Sequence, residues 1–177
     1  MLELLSDPSQ LLDPLLQFKN LADGRPLNGW VLRKIMEANA DFDSAVAAIA
    51  KVPYVSTEYA IVSGVKKGVI MSRNPDDVAF TQTLGQKNFE ERSDYIIMTN
   101  FDFFHHDVRE YFDPTGGEVG HPRRIAAQQL LNSTAANSLT PEFLFETINA
   151  KGVIADTIFQ AIINVETGLW NVSMPDL

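Results

Sequence analysis

The spacing of apolar residues over the first third of the chain is typical of helices. After Asn28, apolar residues recur at i, i+3 and i+4, at Leu32, Ile35 and Met36. Asp41 can accept the free amides at the start of a second helix, which carries the same spacing until Pro53 ends it. An earlier apolar stretch, residues 11–18, is interrupted by Asp13-Pro14, where Asp can cap and Pro can occupy a first helical position. The region therefore predicts three helical segments.

From residue 56 the pattern changes to short apolar runs separated by turn residues. These runs predict strands at residues 56–63, 69–73, 78–84 and 95–99. The connections are too short for parallel crossovers, which need about a dozen residues or more. We therefore expect a four-stranded antiparallel meander.

Helical and strand patterns follow once more toward the end of the chain. Helices are predicted at 122–132 and 140–150, the second opening with Thr140 as cap and Pro141 in the first turn. A hairpin joins strands 157–165 and 169–173. The order of elements predicts one layered α+β domain over residues 1–177, with 107–120 as an inserted exposed loop.

Composition excludes several classes of function. The net charge of −9 and the pI near 4.7 argue against nucleic acid and anionic membrane surfaces. The absence of cysteine excludes disulfides, cysteine-ligated zinc and a thiol nucleophile within these 177 residues. No apolar run approaches the roughly 20 residues that cross a bilayer, and no signal peptide pattern opens the chain.

The polar residues with the clearest chemistry are Asn100, after the last meander strand, and the pair Arg123-Arg124 at a helix start. An amide and a guanidinium suit the stabilisation of an oxyanion in acyl transfer. The alternatives are an ordinary turn asparagine and solvated arginines. His105-His106 lacks further ligands at metal-binding spacing, which favours an exposed loop pair, and no cofactor site is predicted. A cluster of aromatic residues either lines an acyl-chain pocket or packs the loop: Phe101, Phe103, Phe104, Tyr111 and Phe112.

Four segments resemble, in this order, the acid ceramidase and N-acylethanolamine acid amidase family of N-terminal-nucleophile (Ntn) hydrolases, which is related to choloylglycine hydrolases. They are Asp43-Ser-Ala-Val, Met98-Thr-Asn-Phe-Asp102, Pro122-Arg-Arg-Ile-Ala-Ala and Ile163-Asn-Val-Glu-Thr-Gly-Leu-Trp-Asn. The second resembles the family's Q/V-T-N-x-D strand end, and the third resembles its D-R-R-T-x-A segment. The resemblance runs from about Leu12 to the last residue and marks the chain as the C-terminal part of such a protein.

The resemblance implies an αββα sandwich of antiparallel sheets and an amidohydrolase that cleaves N-acylated lipids of the ceramide or N-acylethanolamine type. In the family, an N-terminal cysteine exposed by self-cleavage attacks the amide carbonyl, and its α-amine acts as base. Asn100 would donate its amide to the oxyanion and Arg123 would be the active-site arginine, with Asp102 and Arg124 supporting them. The nucleophile lies upstream of everything present here, so this chain alone is expected to be inactive and to need a nucleophile-bearing segment as partner.

Two further expectations follow from the resemblance. Lysosomal or secreted location is expected, with the sequon residues Asn132 and Asn171 as possible glycosylation sites. A meander without the second sheet of a sandwich would expose apolar area and favour association. The competing interpretations are a non-catalytic lipid-binding or interaction protein on the same scaffold, and a chain that begins at an internal methionine of a longer gene.

Overall fold

The computed structural model describes residues 8–86, 92–99, 104, 121–153 and 159–174. The fold class is α+β, as predicted. The helices are α1 (Pro8–Ala22), α2 (Asn28–Ala38), α3 (Phe42–Lys51), α4 (His121–Asn132) and α5 (Pro141–Asn149). The strands are β1 (Glu58–Gly64), β2 (Lys67–Arg73), β3 (Val78–Thr83), β4 (Gln160–Asn164) and β5 (Leu169–Ser173). A short 3-10 helix, Ala136–Ser138, precedes α5.

The chain forms two compact units, one of Met1–Val62 with Val69–Thr81 and the other of Ser63–Gly68 with Gln82–Leu177. The prediction of a single domain over residues 1–177 stays a prediction. A three-stranded sheet has the order β1-β2-β3. Lys66, rather than either neighbouring glycine, takes the positive φ of 57° in the turn between β1 and β2.

The core of the first unit lies between its helices and its strands. Ile49 of α3 packs against alternate residues of β1 and β2, and partly buried residues of α2 and α3 surround them: Leu32, Ile35, Phe42, Val46 and Ala50. Asp41 caps α3 as predicted, because its carboxylate accepts the Ser44 amide at 2.9 Å. The helical spacing therefore identified the packed face of α3 and the residues Leu32 and Ile35 of α2, whereas Met36, predicted on the same face, is 53% exposed.

Arg73, at the end of β2, secures the other end of α3. Its side chain is 1% exposed and donates to the carbonyl oxygens of Ala50 and, at 2.6 Å, Val52. The guanidinium also lies 5.0 Å from the centroid of the Tyr54 ring. A cation at the carbonyl end of a helix is favourable, so this buried arginine has a structural role.

Two expectations about these elements are wrong. Helix α1 runs through Pro14, which was expected at a helix start. Pro14 is exposed, so the carbonyl that loses its amide donor can be hydrated by solvent. Residues 95–99 form no strand, so the meander has three strands among the described residues. The Gly85 amide donates to the Ser93 carbonyl at 2.8 Å. The residues around Ser93 are held against α4 by the side chains of Arg92 and Tyr95.

The second unit contains α4, α5 and the predicted C-terminal hairpin. Thr140 caps α5 by accepting the Phe143 amide at 3.2 Å, and Pro141 occupies the first turn, as predicted. Strands β4 and β5 pair antiparallel with Ile162 opposite Asn171. Asn149 at the end of α5 exchanges two side-chain hydrogen bonds with Gln160 of β4, at 2.7 and 2.6 Å. This exchange ties the hairpin to the helix.

Candidate functional site

The first turn of α4 carries the two arginines that the sequence singles out. Adjacent residues of a helix point about 100° apart, so the two side chains face different surroundings. Arg124 is 4% exposed, whereas Arg123 is only partly buried. The pair is therefore not a single solvated basic patch.

Arg123 reaches toward the turn that follows α5. Its Nε donates to the carbonyl oxygen of Val153 at 2.7 Å. Val153 is buried, and its amide donates to the Ala150 carbonyl at 2.9 Å, which closes the turn. Burial lowers the pKa of Arg123 below its ordinary value. The bond holds the side chain of Arg123 against this turn.

Arg124 has the stronger perturbation. Burial lowers its pKa from the ordinary value to about 10, because a charged guanidinium is poorly solvated in the interior. The group is still protonated at any pH at which a protein works. A fixed cation in a low-dielectric setting acts on neighbouring charge more strongly than one in water. Arg124 therefore has the properties of a functional group as well as those of a core residue.

The C-terminal end of α4 is clamped by a residue that the sequence reasoning missed. Arg92 Nη1 donates to the carbonyl oxygens of Leu131 at 2.5 Å and Thr134 at 2.8 Å. Its Nε donates to Asp94 Oδ1 at 2.7 Å, and its Nη2 pairs with the other carboxylate oxygen. This bidentate pair raises the pKa of Arg92 and lowers that of Asp94. We call Arg92, Asp94 and Tyr95 the clamp.

Tyr95 completes the clamp through both its ring and its hydroxyl. The Arg92 guanidinium carbon lies 5.3 Å from the ring centroid. The hydroxyl donates to Asn132 Oδ1 at 2.8 Å, and burial raises the pKa of Tyr95. The sequence signal was available, since Arg92-Ser-Asp-Tyr95 places a cation, an anion and an aromatic residue just before the segment that leads to Asn100. The clamp thus fixes the approach to Asn100 against the end of α4.

Gly68 of β2 packs beside Leu84 and Ile96. A Cβ built on Gly68 would lie 3.4 Å from the Leu84 Cβ and 3.5 Å from the Ile96 Cδ1. The Leu84 amide donates to the Gly68 carbonyl at 2.9 Å. These are ordinary van der Waals distances, so an alanine at Gly68 would pack against Leu84 and Ile96 without a clash.

Several predicted site residues lie outside the described residues. They are Asn100, Asp102, the His105-His106 pair, the 107–120 loop, and four of the five clustered aromatic residues, Phe104 being the exception. The two sequon asparagines are described and both are exposed. Asn132 accepts the Tyr95 bond through Oδ1, so its nitrogen is not engaged by that bond.

A separate cavity of about 250 Å³ lies in the first unit. Its lining is neutral: Leu16, Gln17, Val55, Ser56, Thr57, Asn74 and Pro75. The lining contains no acidic or basic side chain that could activate the hydroxyls of Ser56 and Thr57 for amide hydrolysis. No helix in the described part of the chain is long and apolar enough to pass through a bilayer.

Comparison with known proteins finds four curated relatives with one description, N-acylethanolamine-hydrolyzing acid amidase. That of Oryctolagus cuniculus is 28% identical over 138 residues, 76% of this chain and 35% of the relative. That of Mus musculus is 30% identical over 122 residues, 68% of this chain and 30% of the relative. That of Caenorhabditis elegans is 27% identical over 141 residues, 78% of this chain and 35% of the relative. The chain spans about a third of the length of these relatives. No protein-family model matches it.

Proposed function

We propose that this chain, which is related in sequence to the N-acylethanolamine-hydrolyzing acid amidases, is the C-terminal part of an amidohydrolase that cleaves the amide bond of N-acylated lipids. The observation that carries the proposal is the similarity to four such amidases over about 70% of the chain. Mammalian and nematode relatives share it, so it does not depend on one comparison.

The proposed reaction needs a nucleophile that this chain does not contain. The chain has no cysteine, so an N-terminal cysteine would come from a separate nucleophile-bearing segment. Its thiolate attacks the amide carbonyl carbon, and the C–N bond breaks as the amine leaves with a proton. Water then hydrolyses the thioester, releasing the fatty acid and the thiol. Each step passes through a tetrahedral oxyanion that needs hydrogen-bond donors.

This chain supplies the supporting half of that site. We assign Asn100 as the oxyanion donor through its side-chain amide and Arg123 as the active-site cation, with Asp102 and Arg124 supporting them. The Arg123–Val153 bond supports the assignment because it holds the guanidinium in one orientation. The buried, perturbed Arg124 supports placing a functional site beside α4. The clamp supports the assignment of Asn100, because it anchors the segment that leads to it.

Substrate and location are finer parts of the proposal. The substrate class is the N-acylethanolamine named in the relatives' description, with ceramide as the related alternative. A lysosomal or secreted location fits an acid amidase. Asn132 and Asn171 would then carry glycans, and their exposure supports this.

A second candidate function is favoured by one observation, the absence of cysteine. On that account the chain binds N-acyl lipids without cleaving them.

The test of the two functions incubates the purified chain with an N-acylethanolamine and a short-chain ceramide at acidic pH and measures free fatty acid. The amidase proposal predicts no release above a protein-free blank and no saturable binding of either lipid. Saturable binding without release favours the lipid-binding function, and release by the chain alone contradicts the need for a separate nucleophile.

A further inference from the structure

The C-terminal hairpin has one apolar face that is open to solvent. Ile163 pairs with Trp170 and Ala161 with Val172 across the strands, so these four side chains share a face. Phe159 and Met174 flank the strand ends in the same alternation. Trp170 is 71% exposed and Met174 77%, and three further members expose about half of their surface or more: Phe159, Ile163 and Val172. We call these six residues the hairpin face.

The opposite side of the hairpin differs in character. That side is mixed, since it carries the polar residues Gln160, Asn164, Asn171 and Ser173 together with Ile162 and Leu169. Gln160 is buried and bonded to Asn149 at the end of α5. The helix is therefore tied to the mixed side of the hairpin. The apolar side is exposed instead, although the apolar face of a sheet is usually the one that is covered.

The size and charge of the hairpin face fit a second copy of the chain. Its exposed side chains present on the order of 600 Å². Two copies packed face to face would bury about 1,200 Å², the lower limit of stable protein interfaces. The face has no ionisable residue, so contact between two copies would bury no charged side chain at this surface. Trp, Phe and Met are also residue types enriched at the centres of interfaces.

We propose that the hairpin face is a self-association surface on which a second copy of this chain packs through its own hairpin face. Trp170, paired with Ile163 at the centre, is the principal anchor. The two hairpins stack as sheets about 10 Å apart. The proposal is independent of the amidase function and concerns the chain whether or not it is catalytic.

The experiment measures the mass of the 177-residue chain by light scattering during gel filtration at several concentrations. We expect a dimer of twice 19.7 kDa that dissociates on dilution. Trp170→Lys should weaken dimerisation at least about thirty-fold, as for loss of an interface anchor. Leu169→Lys, its neighbour on the opposite face, should leave the dimer intact. A dimer lost with Leu169→Lys but kept with Trp170→Lys overturns the proposal.

A second measurement does not depend on the folding of a charged variant. The chain has two tryptophans, so Trp30→Phe leaves Trp170 as the only indole. Its emission should shift to shorter wavelength as the chain is concentrated, because the ring leaves water. A monomer with solvent-like emission at every concentration overturns the proposal, and is the outcome expected if another part of an amidase covers the face. Polydisperse aggregates that persist in Trp170→Lys also overturn it.

Discussion

The two adjacent arginines of α4 show how one helical step changes the state of a charged residue. Arg124 is buried and its pKa is lowered to about 10 by loss of hydration. A shift of this size corresponds to a cost on the order of 3 kcal/mol for holding the charged form. Residues retained at such a cost are concentrated at functional sites. Arg123, partly exposed and bonded to Val153, bears a smaller cost.

Replacing Arg124 by methionine should therefore have little effect on the stability of the fold. We expect Arg124→Met to change the free energy of unfolding by less than about 2 kcal/mol, because methionine avoids the desolvation cost but also gives up the contacts of the guanidinium. Because the folded pKa lies below the unfolded value, the cost is fully present below pH 10 and is relieved as the pH rises toward the unfolded pKa. Urea denaturation at neutral pH measures the difference. A loss of more than about 2 kcal/mol would mean that contacts of the guanidinium outweigh its desolvation.

Asn100 is the residue whose chemistry is most specific. In an amidase assembled with its nucleophile, Asn100→Ala should lower kcat by about 10²–10³-fold with little change in KM, as for loss of one oxyanion donor. Arg123→Ala should also lower activity, and Arg124→Ala should lower it less. Melting curves must accompany the rates as a control for folding. If Asn100→Ala retains near-normal kcat, its assignment as oxyanion donor is wrong, and if Arg124 is the more damaging of the two, the register of the pair is shifted by one residue.

At the scale of elements, the clamp connects two segments that are distant in sequence. Arg92 and Tyr95 bind the end of α4 some forty residues later. Helix caps and hairpins depend on residues within a few positions, so Asp41, Thr140 and the β4–β5 turn could be predicted from the sequence. The local run Arg92-Ser-Asp-Tyr95 indicates a polar cluster, but it does not indicate that the cluster's partners lie at the end of α4 and just beyond it.

The same reason explains the missing fourth strand. Residues 95–99 have the apolar pattern of a strand, but side-chain anchors to α4 decide their path. At Pro14 the local signal for a helix start was misleading, because α1 begins at Pro8 and continues through Pro14. For the candidate site, the sequence identified Arg123 and Arg124, but it did not indicate that Arg124 is the buried one.

The hydrogen bond of Tyr95 gives the clamp a measurable share of stability. Tyr95→Phe should lower the free energy of unfolding by about 1 kcal/mol, because the bond to Asn132 is lost. Tyr54→Phe is the matched control, since the buried Tyr54 hydroxyl has no hydrogen-bond partner among the described residues. That substitution should be neutral or slightly stabilising. Equal losses in both variants would show that the Tyr95–Asn132 bond contributes nothing.

The carboxylate of the clamp should make the fold sensitive to strong acid. Arg92 lowers the pKa of Asp94 below its ordinary 3.8 in the folded chain. The stabilisation is therefore fully present well above pH 3.8 and is lost as the pH falls below that value through the folded pKa. The clamp should stay ionised at the mildly acidic pH of an acid amidase. Asp94→Asn should remove this part of the acid dependence, measured as the melting temperature between pH 5 and pH 2. An unchanged profile contradicts the account.

At the scale of the whole molecule, the chain corresponds to one part of each longer relative. It spans about a third of their length and has no cysteine. The exposed apolar residues of α1 and α2, such as Phe18 and Trp30, present surface that folding of this chain does not cover. These features agree with the proposal that the chain supplies the supporting residues of an amidase site.

The most direct test replaces the matching part of the Mus musculus N-acylethanolamine-hydrolyzing acid amidase with this chain and measures hydrolysis of an N-acylethanolamine. The account predicts that the chain alone is inactive, that the folded hybrid releases fatty acid, and that Asn100→Ala in the hybrid removes most of that release. A control hybrid with Asn171→Ala, a change remote from the proposed chemistry in sequence, should retain activity. A hybrid that folds and melts cooperatively but releases no fatty acid would contradict the claim that this chain carries the supporting half of an amidase site.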